Sequence, residues 1–454
     1  MKKYLLTHHG FLLAIINNSI CQIKIKDLND FKNVIYIEDI SKYKCRIKTK
    51  EGDVFSYDIK NKLDKIAVEE CYLDIEYKSN KHVIIKYKGL FLSANTDMEV
   101  TLREHAFSWE EFRVVTEEDI EKILCISNND ILVNKKIHQF NCISGDEVKY
   151  KDISIKIDDI LSEISKNKME FSFFINEFPF YAKVINPLFV YVVFGDDVFE
   201  QFKLSIKSLC DIGKYTGDIV IVTDMSHEIV TREIKRIYIK PNKIIIINAN
   251  AKDRLDYVGC RINTLSSSLM FKYQPIFYLD ADVLINNKLD NVIYKSVSSD
   301  KISAQLEDYP NFNNKIKHNI SVGSTLFSES EFDIGNVNGF NAGIIMIPSG
   351  EKFHFVFKIA YKMIVLYTQK YGRDSIPYYD QSVLNYILYK FDLYSSSPIS
   401  DVTELSCEAG IQEATFVHFF PSGNKRLEEM KKFLYEKKII GEKFLESIMH
   451  RERV

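Results

Sequence analysis

The chain has 454 residues, too many for one ordinary hydrophobic core, which indicates at least two domains. Hydrophobic residues at 46% and charged residues at 27% are ordinary values for a globular protein and argue against general disorder. Lys and Arg number 60 against 63 Asp and Glu, a net charge of -3, and without a basic excess we expect no nucleic-acid partner.

The eight cysteines are scattered, with no C-x-x-C pair, a usage that favours a reducing, cytoplasmic location. The apolar run from Phe11 to Ile16 is too short for a signal sequence, and we expect it to be a buried strand. No apolar stretch approaches the roughly 20 residues that a membrane helix needs. Any membrane contact is therefore expected to be peripheral, at the inner face of a membrane.

Residues 1–120 contain three segments of similar pattern, each an alternating strand, a turn glycine and a second strand. The glycines, Gly10, Gly52 and Gly89, recur at about forty residues, which predicts an all-β domain with a β-trefoil as the leading candidate. The third segment, GLFLSANTDMEVTLREHAFSWEEFRVV, resembles the repeats of fascin-like β-trefoils. This resemblance implies a module that binds carbohydrate or protein. The alternative is a scaffold in which Trp109 and Phe112 belong to the core.

Residues 121–186 mix acidic helix-like sequence with aromatic residues and show no catalytic pattern. We expect this stretch to be a connector that packs on the domain after it.

From residue 187 the pattern becomes α/β. Three continuous apolar runs predict strands buried on both faces: LFVYVVFG (188–195), DIVIVTD (218–224) and KIIIINA (243–249). A segment of helical period, 198–209, follows the first, so we expect a mainly parallel sheet. Ligands bind at the carboxyl ends of such strands, where this chain places Asp196, Asp197, Thr223 and Asp224.

A fourth apolar run, residues 276–279, leads directly into Asp280, Ala281 and Asp282. Alternation along the chain places both carboxylates on one side, a spacing that can hold a divalent cation while a nucleotide diphosphate supplies more oxygens. Such a cation neutralises charge on a leaving diphosphate. Phosphotransferases of the haloacid dehalogenase type also place D-x-D after a buried strand, but they normally have Thr or Val where this chain has Leu284.

Three later segments add polar groups. NGFNAGIIMIPSG (338–350) puts small residues before an apolar strand, and YYDQSVLNYIL (378–388) starts a helix with a carboxylate and an amide. FVHFFPSGNKRLEEM (416–430) ends a strand in His418 and then supplies Gly423 and Lys425. Taken singly, His418 is explained as a core histidine, Asp380 as a helix cap and Lys425 as a solvated side chain.

The order D-x-D, F-N-A-G, D-Q-x-x-x-N, then H-F with Gly and Lys resembles that of family 8 glycosyltransferases over about residues 187–425. This is the group of glycogenin and the bacterial galactosyltransferases. The resemblance implies a Rossmann-like GT-A domain and a retaining hexosyltransferase. It also implies a UDP-sugar donor, a glycan or protein acceptor, and manganese or magnesium as cofactor.

Residue by residue, the resemblance implies that Asp280, Asp282 and His418 bind the metal. It assigns donor contacts to Phe194, Gly195, Asp196, Arg261, Asp280, Ala281, Asp282, Gly423 and Lys425. It places Asn341, Asp380 and Gln381 at the donor sugar and reaction centre, with Gln381 beneath the sugar and attack from the front face. The late motif departs from the family spacing H-x-x-G-x-x-K-P-W, so the loop that carries Gly423 and Lys425 is expected to have a different shape.

The polar stretch 305–338 is expected to be a substrate loop that shapes the acceptor pocket. The tail, residues 426–454, has an amphipathic pattern that predicts a helix packed on the catalytic domain, or else a helix that lies on a membrane surface. The alternative function is a carbohydrate-binding protein whose GT-A domain is catalytically inactive.

Overall fold

The computed structural model divides the chain into two compact units, Met1–Val184 and Ile185–Val454. The structure describes residues 2–17, 19–28, 31–50, 55–57, 63–65, 72–79, 81–164, 169–237, 239, 241–308, 315–330, 332–376, 378–407, 411 and 413–440.

The first unit begins with twelve short strands. They are β1 (Lys3–Leu6), β2 (Phe11–Ile16), β3 (Ser19–Lys24), β4 (Tyr36–Ser41), β5 (Lys44–Lys48), β6 (Phe55–Tyr57), β7 (Leu63–Lys65), β8 (Leu73–Tyr77), β9 (His82–Tyr87), β10 (Leu90–Ala94), β11 (Val100–Arg103) and β12 (Glu111–Val115). The run Phe11–Ile16 is thus a strand, as predicted, and four of its six residues are buried.

Six of these strands close into a barrel-like sheet. In the order β1, β4, β5, β8, β9, β12, each strand pairs antiparallel with the next. Strand β12 also pairs antiparallel with β1, which closes the sheet. The other six strands form the hairpins β2–β3, β6–β7 and β10–β11. Alternate side chains such as Leu5, Ile37, Ile85 and Phe112 form the buried core.

Two of the three predicted turn glycines connect neighbouring strands of the first unit. Gly10 and Gly89 have φ of +77° and +83° and connect β1 to β2 and β9 to β10, a left-handed conformation that favours glycine. Gly52 lies outside the described residues. Phe112 is fully buried, whereas Trp109 is half-buried and packs against the ring of His9 and the guanidinium of Arg103.

The rest of the first unit is a mixed α/β segment. Its elements are α1 (Glu117–Asn128), β13 (Asp130–Val133), β14 (Lys136–His138), β15 (Phe140–Ser144), β16 (Glu147–Tyr150), β17 (Ile153–Lys156), α2 (Ile157–Glu163), β18 (Glu170–Ile175) and β19 (Phe178–Ile185). Their buried side chains, among them Ile120, Val148 and Phe173, share one core with Tyr4 and Leu6 of β1. The predicted connector therefore contributes to the core of the first unit.

The second unit alternates strands and helices. Its first half contains β20 (Leu188–Val193), α3 (Asp196–Asp211), β21 (Asp218–Thr223), α4 (His227–Arg236), β22 (Ile244–Asn248), α5 (Arg254–Leu265), β23 (Ile276–Leu279), β24 (Val283–Ile285) and α6 (Asp290–Ser298). Its second half contains β25 (Ile302–Leu306), α7 (Ser324–Ser328), β26 (Phe340–Ile347), α8 (Gly350–Tyr371), α9 (Tyr379–Lys390), β27 (Tyr394–Ser395), β28 (Thr403–Leu405), β29 (Phe416–His418) and α10 (Arg426–Glu436).

Seven strands form the main sheet in the order β22-β21-β20-β23-β26-β25-β27. The four strands predicted from apolar runs are β20, β21, β22 and β23, and neighbours among them are parallel, as expected. The prediction that β22 is buried on both faces was wrong: this strand lies at the end of the described sheet order and is only half-buried. Strand β26 is antiparallel to both β23 and β25. The carboxyl ends of the four parallel strands therefore meet at one edge, where polar side chains collect.

A small second sheet, β24-β29-β28, lies beside the end of β23 along the chain. Helix α10 follows it, and Met430 and Leu434 of this helix share an apolar cluster with Leu204, Leu284 and Val417. The described part of the predicted tail thus packs within the second unit. Residues 441–454 lie outside the described residues. In the parts of the chain that the structure describes, no helix is both long and apolar enough to cross a bilayer.

Asn385 of α9 fixes the start of β26. It is fully buried, its side-chain nitrogen donates to the Phe340 carbonyl, and its oxygen accepts from the Phe340 N–H, both at 2.9 Å. One amide side chain thus satisfies two buried backbone groups at the edge of the candidate site.

We predict that Asn385→Ala destabilises the second unit by about 2–4 kcal/mol, because both backbone groups of Phe340 lose their partner. Chemical denaturation followed by far-UV circular dichroism measures the loss. The only tryptophan, Trp109, lies in the first unit, so its fluorescence follows the unfolding of that unit separately.

The matched control is Asn263→Ala on an exposed position of α5, which should change the free energy of unfolding by no more than about 0.5 kcal/mol. An Asn385→Ala protein that unfolds like the wild type would show that these two hydrogen bonds do not hold β26.

Candidate active site

Asp280 and Asp282 lie at the junction between the two sheets of the second unit. Strand β23 is fully buried and ends at Leu279, and β24 begins at Val283. The N–H of Asp280 donates to the Gly343 carbonyl at 2.7 Å, and the Asp282 carbonyl accepts from the Phe419 N–H at 3.0 Å. Both carboxylates are therefore held by backbone contacts to β26 and to the chain after β29.

His418 reaches this junction because β29 pairs antiparallel with β24, with Val283 opposite His418. Ligand atoms of Asp280, Asp282 and His418 all lie within 4.8 Å of one another, and His418 Nε2 is 3.4 Å from Asp282 Oδ1. The three residues that the sequence pattern grouped as metal ligands are thus brought together, although 138 positions separate Asp280 from His418. We call these three residues the triad.

The donor set of the triad fits a divalent cation. Two carboxylates and an imidazole are common ligands of divalent cations. Ligands of one octahedral ion at about 2.1 Å lie roughly 3–4.2 Å apart, so small side-chain adjustments would bring the triad onto one ion.

Gln305 supports His418 from the other side of the ring. Its Oε1 lies 3.4 Å from His418 Nδ1, and the residue is 4% exposed on β25. An amide oxygen can only accept, so the proton of a neutral His418 is placed on Nδ1 and Nε2 remains free to bind a metal. A metal-binding histidine commonly has such a partner.

Arg261 of α5 connects Asp280 to Asp380. Its Nη1 lies 2.9 Å from Asp380 Oδ2 and 3.8 Å from Asp280 Oδ1. Its Nη2 donates to the Ala342 carbonyl. The guanidinium carbon sits 3.8 Å from the centre of the Tyr278 ring, and the Tyr278 hydroxyl donates to Asp280 Oδ1 at 2.6 Å. Arg261 is therefore fixed by two carboxylates and one aromatic face.

The two carboxylates of the D-x-D motif differ in their proton affinity. Burial raises the pKa of Asp280, and the nearby charge of Asp282 adds to the effect although Arg261 opposes it. Burial also acts to raise the pKa of Asp282, but His418, when it carries both ring protons, and Arg426 outweigh burial and hold that pKa below its usual value. Asp282 is thus the more firmly ionised of the pair.

Asn341 and Gly343 of the F-N-A-G segment lie within β26. Asn341 Oδ1 accepts from the Gly343 N–H at 2.7 Å, and Asn341 Nδ2 donates to Glu307 Oε1 at 3.2 Å. A Cβ on Gly343 would lie 2.6 Å from His418 Cε1 and 3.0 Å from Asp280 Oδ2. Only glycine leaves room for the triad here.

Asp380 and Gln381 occupy the first turn of α9. The N-cap position belongs to Tyr378, so Asp380 does not cap the helix; it lies inside the helix, is 7% exposed and pairs with Arg261. Gln381 Oε1 accepts from the Ala342 N–H at 3.1 Å, and Gln381 Nε2 donates to the Ser321 carbonyl at 3.0 Å. Both ends of the Gln381 amide are thus held by backbone groups.

These side chains line one cavity of about 640 Å³. The described lining residues are Arg254, Arg261, Asp280, Asp282, Glu307, Asn319, Ile320, Ser321, Asn341, Ala342, Gly343, Tyr378, Asp380, Gln381, His418, Phe420 and Arg426. Part of the expected substrate loop, Glu307 and residues 319–321, contributes to the wall, whereas residues 309–314 and 331 of that loop lie outside the described residues. A cavity of this volume has the size of a small-molecule site.

Six predicted donor contacts are not among the described residues that line this cavity: Phe194, Gly195, Asp196, Ala281, Gly423 and Lys425. Phe194 is buried and stacks on Tyr257 at 4.8 Å between ring centres, and Asp196 starts α3. Gly195 adopts φ +81° between β20 and α3, and Ala281 is buried. Gly423 and Lys425 are exposed in the turn before α10.

Arg426 lines the cavity in place of Lys425. Its Nε lies 3.1 Å from Asp282 Oδ2, and its guanidinium donates to the carbonyls of Phe419 and Phe420 at 3.3 and 3.2 Å. Lys425 is not among the described lining residues, and its predicted contact with the donor remains a prediction.

Glu307, Arg254 and Gln305 were also missed by the sequence analysis. Gln305 and Glu307 had a usable signal, because polar residues two apart at the end of an apolar strand face the same side. Burial raises the pKa of the Glu307 carboxyl group, although the amides of Asn341 and Gln381 oppose the effect. Arg254 carried no such signal.

We predict that Gln305→Leu weakens Mn²⁺ binding about 10- to 100-fold, because His418 loses the acceptor that fixes its tautomer and ring orientation. Isothermal titration with Mn²⁺ measures the change. Gln305→Glu keeps an acceptor at this position and should retain tight binding. Equal affinity in the wild type and the leucine variant would rule out this supporting role.

No protein-family model and no curated protein matches the sequence. Solved structures that resemble the fold include mouse xyloside xylosyltransferase 1 in its apo form, at 11% identity and a TM-score of 0.39, over 52% of this chain and 99% of that one. Another is the apo glycosyltransferase GlyE of Streptococcus pneumoniae TIGR4, at 15% identity and a TM-score of 0.39, over 58% of this chain and 64% of that one. Both proteins are glycosyltransferases, but likenesses this weak assign no role to any residue here.

Proposed function

We propose that the second unit is a metal-dependent GT-A glycosyltransferase of the family 8 type that transfers a hexose from a UDP-sugar to a glycan or protein acceptor with retention of configuration. The observation that carries the proposal is the triad of Asp280, Asp282 and His418, which meets at a strand end on the wall of a cavity of about 640 Å³. Two carboxylates and a histidine at the carboxyl edge of a parallel sheet suit a metal-bound nucleotide diphosphate.

In this proposal the triad would hold Mn²⁺ or Mg²⁺. A bound divalent cation would neutralise the negative charge that builds on the leaving diphosphate. Arg426, beside Asp282, would contact the same diphosphate, because its guanidinium is the cation next to the triad on the side of α10. Lys425 and Gly423, exposed in the same turn, remain the alternative contacts suggested by the family resemblance.

The nucleoside would lie at the carboxyl ends of β20 and β21. Phe194, Gly195 and Asp196 follow β20, and Asp224 after β21 accepts from the Gly195 N–H at 3.3 Å. The positive φ of Gly195 turns the chain sharply there, which lets backbone approach a ligand closely.

The sugar would lie between the triad and the start of α9. Gln381 would face the anomeric carbon with an amide whose two ends are already held, so its position is fixed before substrate binds. The bond from the anomeric carbon to the diphosphate oxygen breaks while the acceptor oxygen attacks from the same face. The acceptor proton passes to the departing diphosphate, so the configuration is retained.

We further propose that residues 1–120 form a β-trefoil. Six barrel strands and three hairpins, arranged as three groups of four strands, are the support. In the proposed division, residues 121–186 connect this domain to the GT-A domain at 187–425, and residues 426–454 form the tail. Carbohydrate binding and a scaffold role are both compatible with a half-buried Trp109.

We predict that the wild type hydrolyses one UDP-sugar of a panel of UDP- and GDP-sugars only with Mn²⁺ or Mg²⁺, and that Asp282→Asn lowers this rate by at least about 100-fold, because a metal ligand is lost. A coupled assay for the released diphosphate measures it.

The matched control is Asp392→Asn, a carboxylate that is 89% exposed and should leave the rate unchanged. Silence across the panel from a well-folded protein would favour the alternative, a carbohydrate-binding protein without turnover. Full activity in Asp282→Asn would remove the metal assignment.

We also predict that Arg426→Ala weakens UDP binding with Mn²⁺ about 10- to 100-fold, because a charge-assisted contact to the diphosphate is lost. Titration calorimetry compares it with Lys425→Ala. A larger loss in the lysine variant would show that the loop binds the donor through the family position instead.

A further inference from the structure

Glu307 is a buried carboxylate on the cavity wall for which the reaction outlined above has no use. It follows β25 directly, its N–H donates to the Gly339 carbonyl at 2.9 Å, and it is 8% exposed. Alternation along the strand puts it on the same face as Gln305, which contacts His418. The backbone therefore holds Glu307 on the same face of the chain as Gln305, the residue that supports His418.

The neighbours of Glu307 are amides. Asn341 Nδ2 donates to its Oε1 at 3.2 Å, and the amide of Gln381 is adjacent. In the described parts of the chain no arginine or lysine pairs with Glu307, whereas Asp280, Asp282 and Asp380 each face an arginine. An ionised carboxylate accepts up to about four hydrogen bonds, so Glu307 keeps acceptor capacity for a ligand.

The charge of Glu307 restricts what can bind beside it. A phosphate or a carboxylate placed beside Glu307 would bring a second negative charge next to a carboxylate that no described arginine or lysine pairs with. A neutral hydroxyl group instead offers the hydrogen that the carboxylate accepts. The anionic end of a sugar nucleotide is therefore directed to the triad and Arg426, and the neutral sugar end to Glu307.

We infer that Glu307 accepts a hydrogen bond from a hydroxyl group of the transferred sugar and makes the site select neutral sugar nucleotides over those that carry a uronic acid. This inference rests on the proposed function. It adds a specificity-determining residue that the sequence pattern did not indicate.

The test is titration calorimetry of the full chain with Mn²⁺ and five probes: UDP, UDP-glucose, UDP-galactose, UDP-N-acetylglucosamine and UDP-glucuronate. The wild type should bind at least one neutral UDP-sugar about tenfold or more tightly than UDP-glucuronate. Glu307→Gln should bind UDP within about twofold of the wild type. It should weaken the tightest neutral sugar nucleotide about tenfold or more and reduce the discrimination against UDP-glucuronate.

The matched control is Asp308→Asn, which changes the adjacent carboxylate. Asp308 is exposed and accepts from Asn338 Nδ2 at 2.7 Å, so all five affinities should stay unchanged. Equal losses for UDP and the UDP-sugars in Glu307→Gln, or no loss for any probe, would overturn the inference. A wild type that does not bind UDP would instead overturn the proposed function. A wild type that binds UDP but does not discriminate among the sugar nucleotides would overturn only the inference about Glu307.

Discussion

The pairing of β24 with β29 is the contact on which the rest of the site depends. Val283 lies opposite His418 in this short antiparallel ladder, and that register places the imidazole beside the two carboxylates. A slip of one residue would turn His418 to the other face of the sheet, because side chains alternate along a strand. The apolar cluster of Leu284, Val417 and Met430 resists such a slip, because Leu284 of β24 and Val417 of β29 would then lose their buried positions.

The second organising constraint is charge. Four acidic side chains line one cavity, and among the described arginines and lysines only Arg261 and Arg426 form ion pairs with them. Uncompensated negative charge in a partly enclosed site costs free energy, so the site favours a ligand that brings positive charge. In the proposed function the cation and the anionic donor bind together: the cation balances the triad, and the diphosphate balances Arg426. Glu307 stays outside this balance and faces the neutral part of the ligand.

Strands buried on both faces were the most predictable part of the fold. Ile276–Leu279 was placed exactly, and β20 and β21 were placed to within two residues, because an unbroken apolar run between polar residues leaves little choice of boundary. We expected residues 121–186 to pack on the domain after them, but the apolar pattern does not identify the partner, and in the structure side chains such as Val148 and Phe173 share the core of the first unit.

The candidate site was predictable where strand ends supply the residues, as at Asp280, Asp282 and His418. It was less predictable in the turn before α10. One residue changes direction by about 100° around a helix, so spacing alone could not decide between Lys425 and Arg426. Gln305 and Glu307 carried a local signal, two polar residues two apart at the end of an apolar strand. Which residues they face depends on the bulged register between β25 and β26, a long-range pairing that no local pattern reports.

The most direct measurement is anomalous X-ray diffraction from crystals grown with Mn²⁺ and UDP. The account predicts an anomalous peak within bonding distance of Asp280, Asp282 and His418, with the diphosphate of UDP bound to the same ion. Density for UDP at the carboxyl end of β20 without a peak at the triad, or a manganese peak elsewhere in the chain, would contradict it.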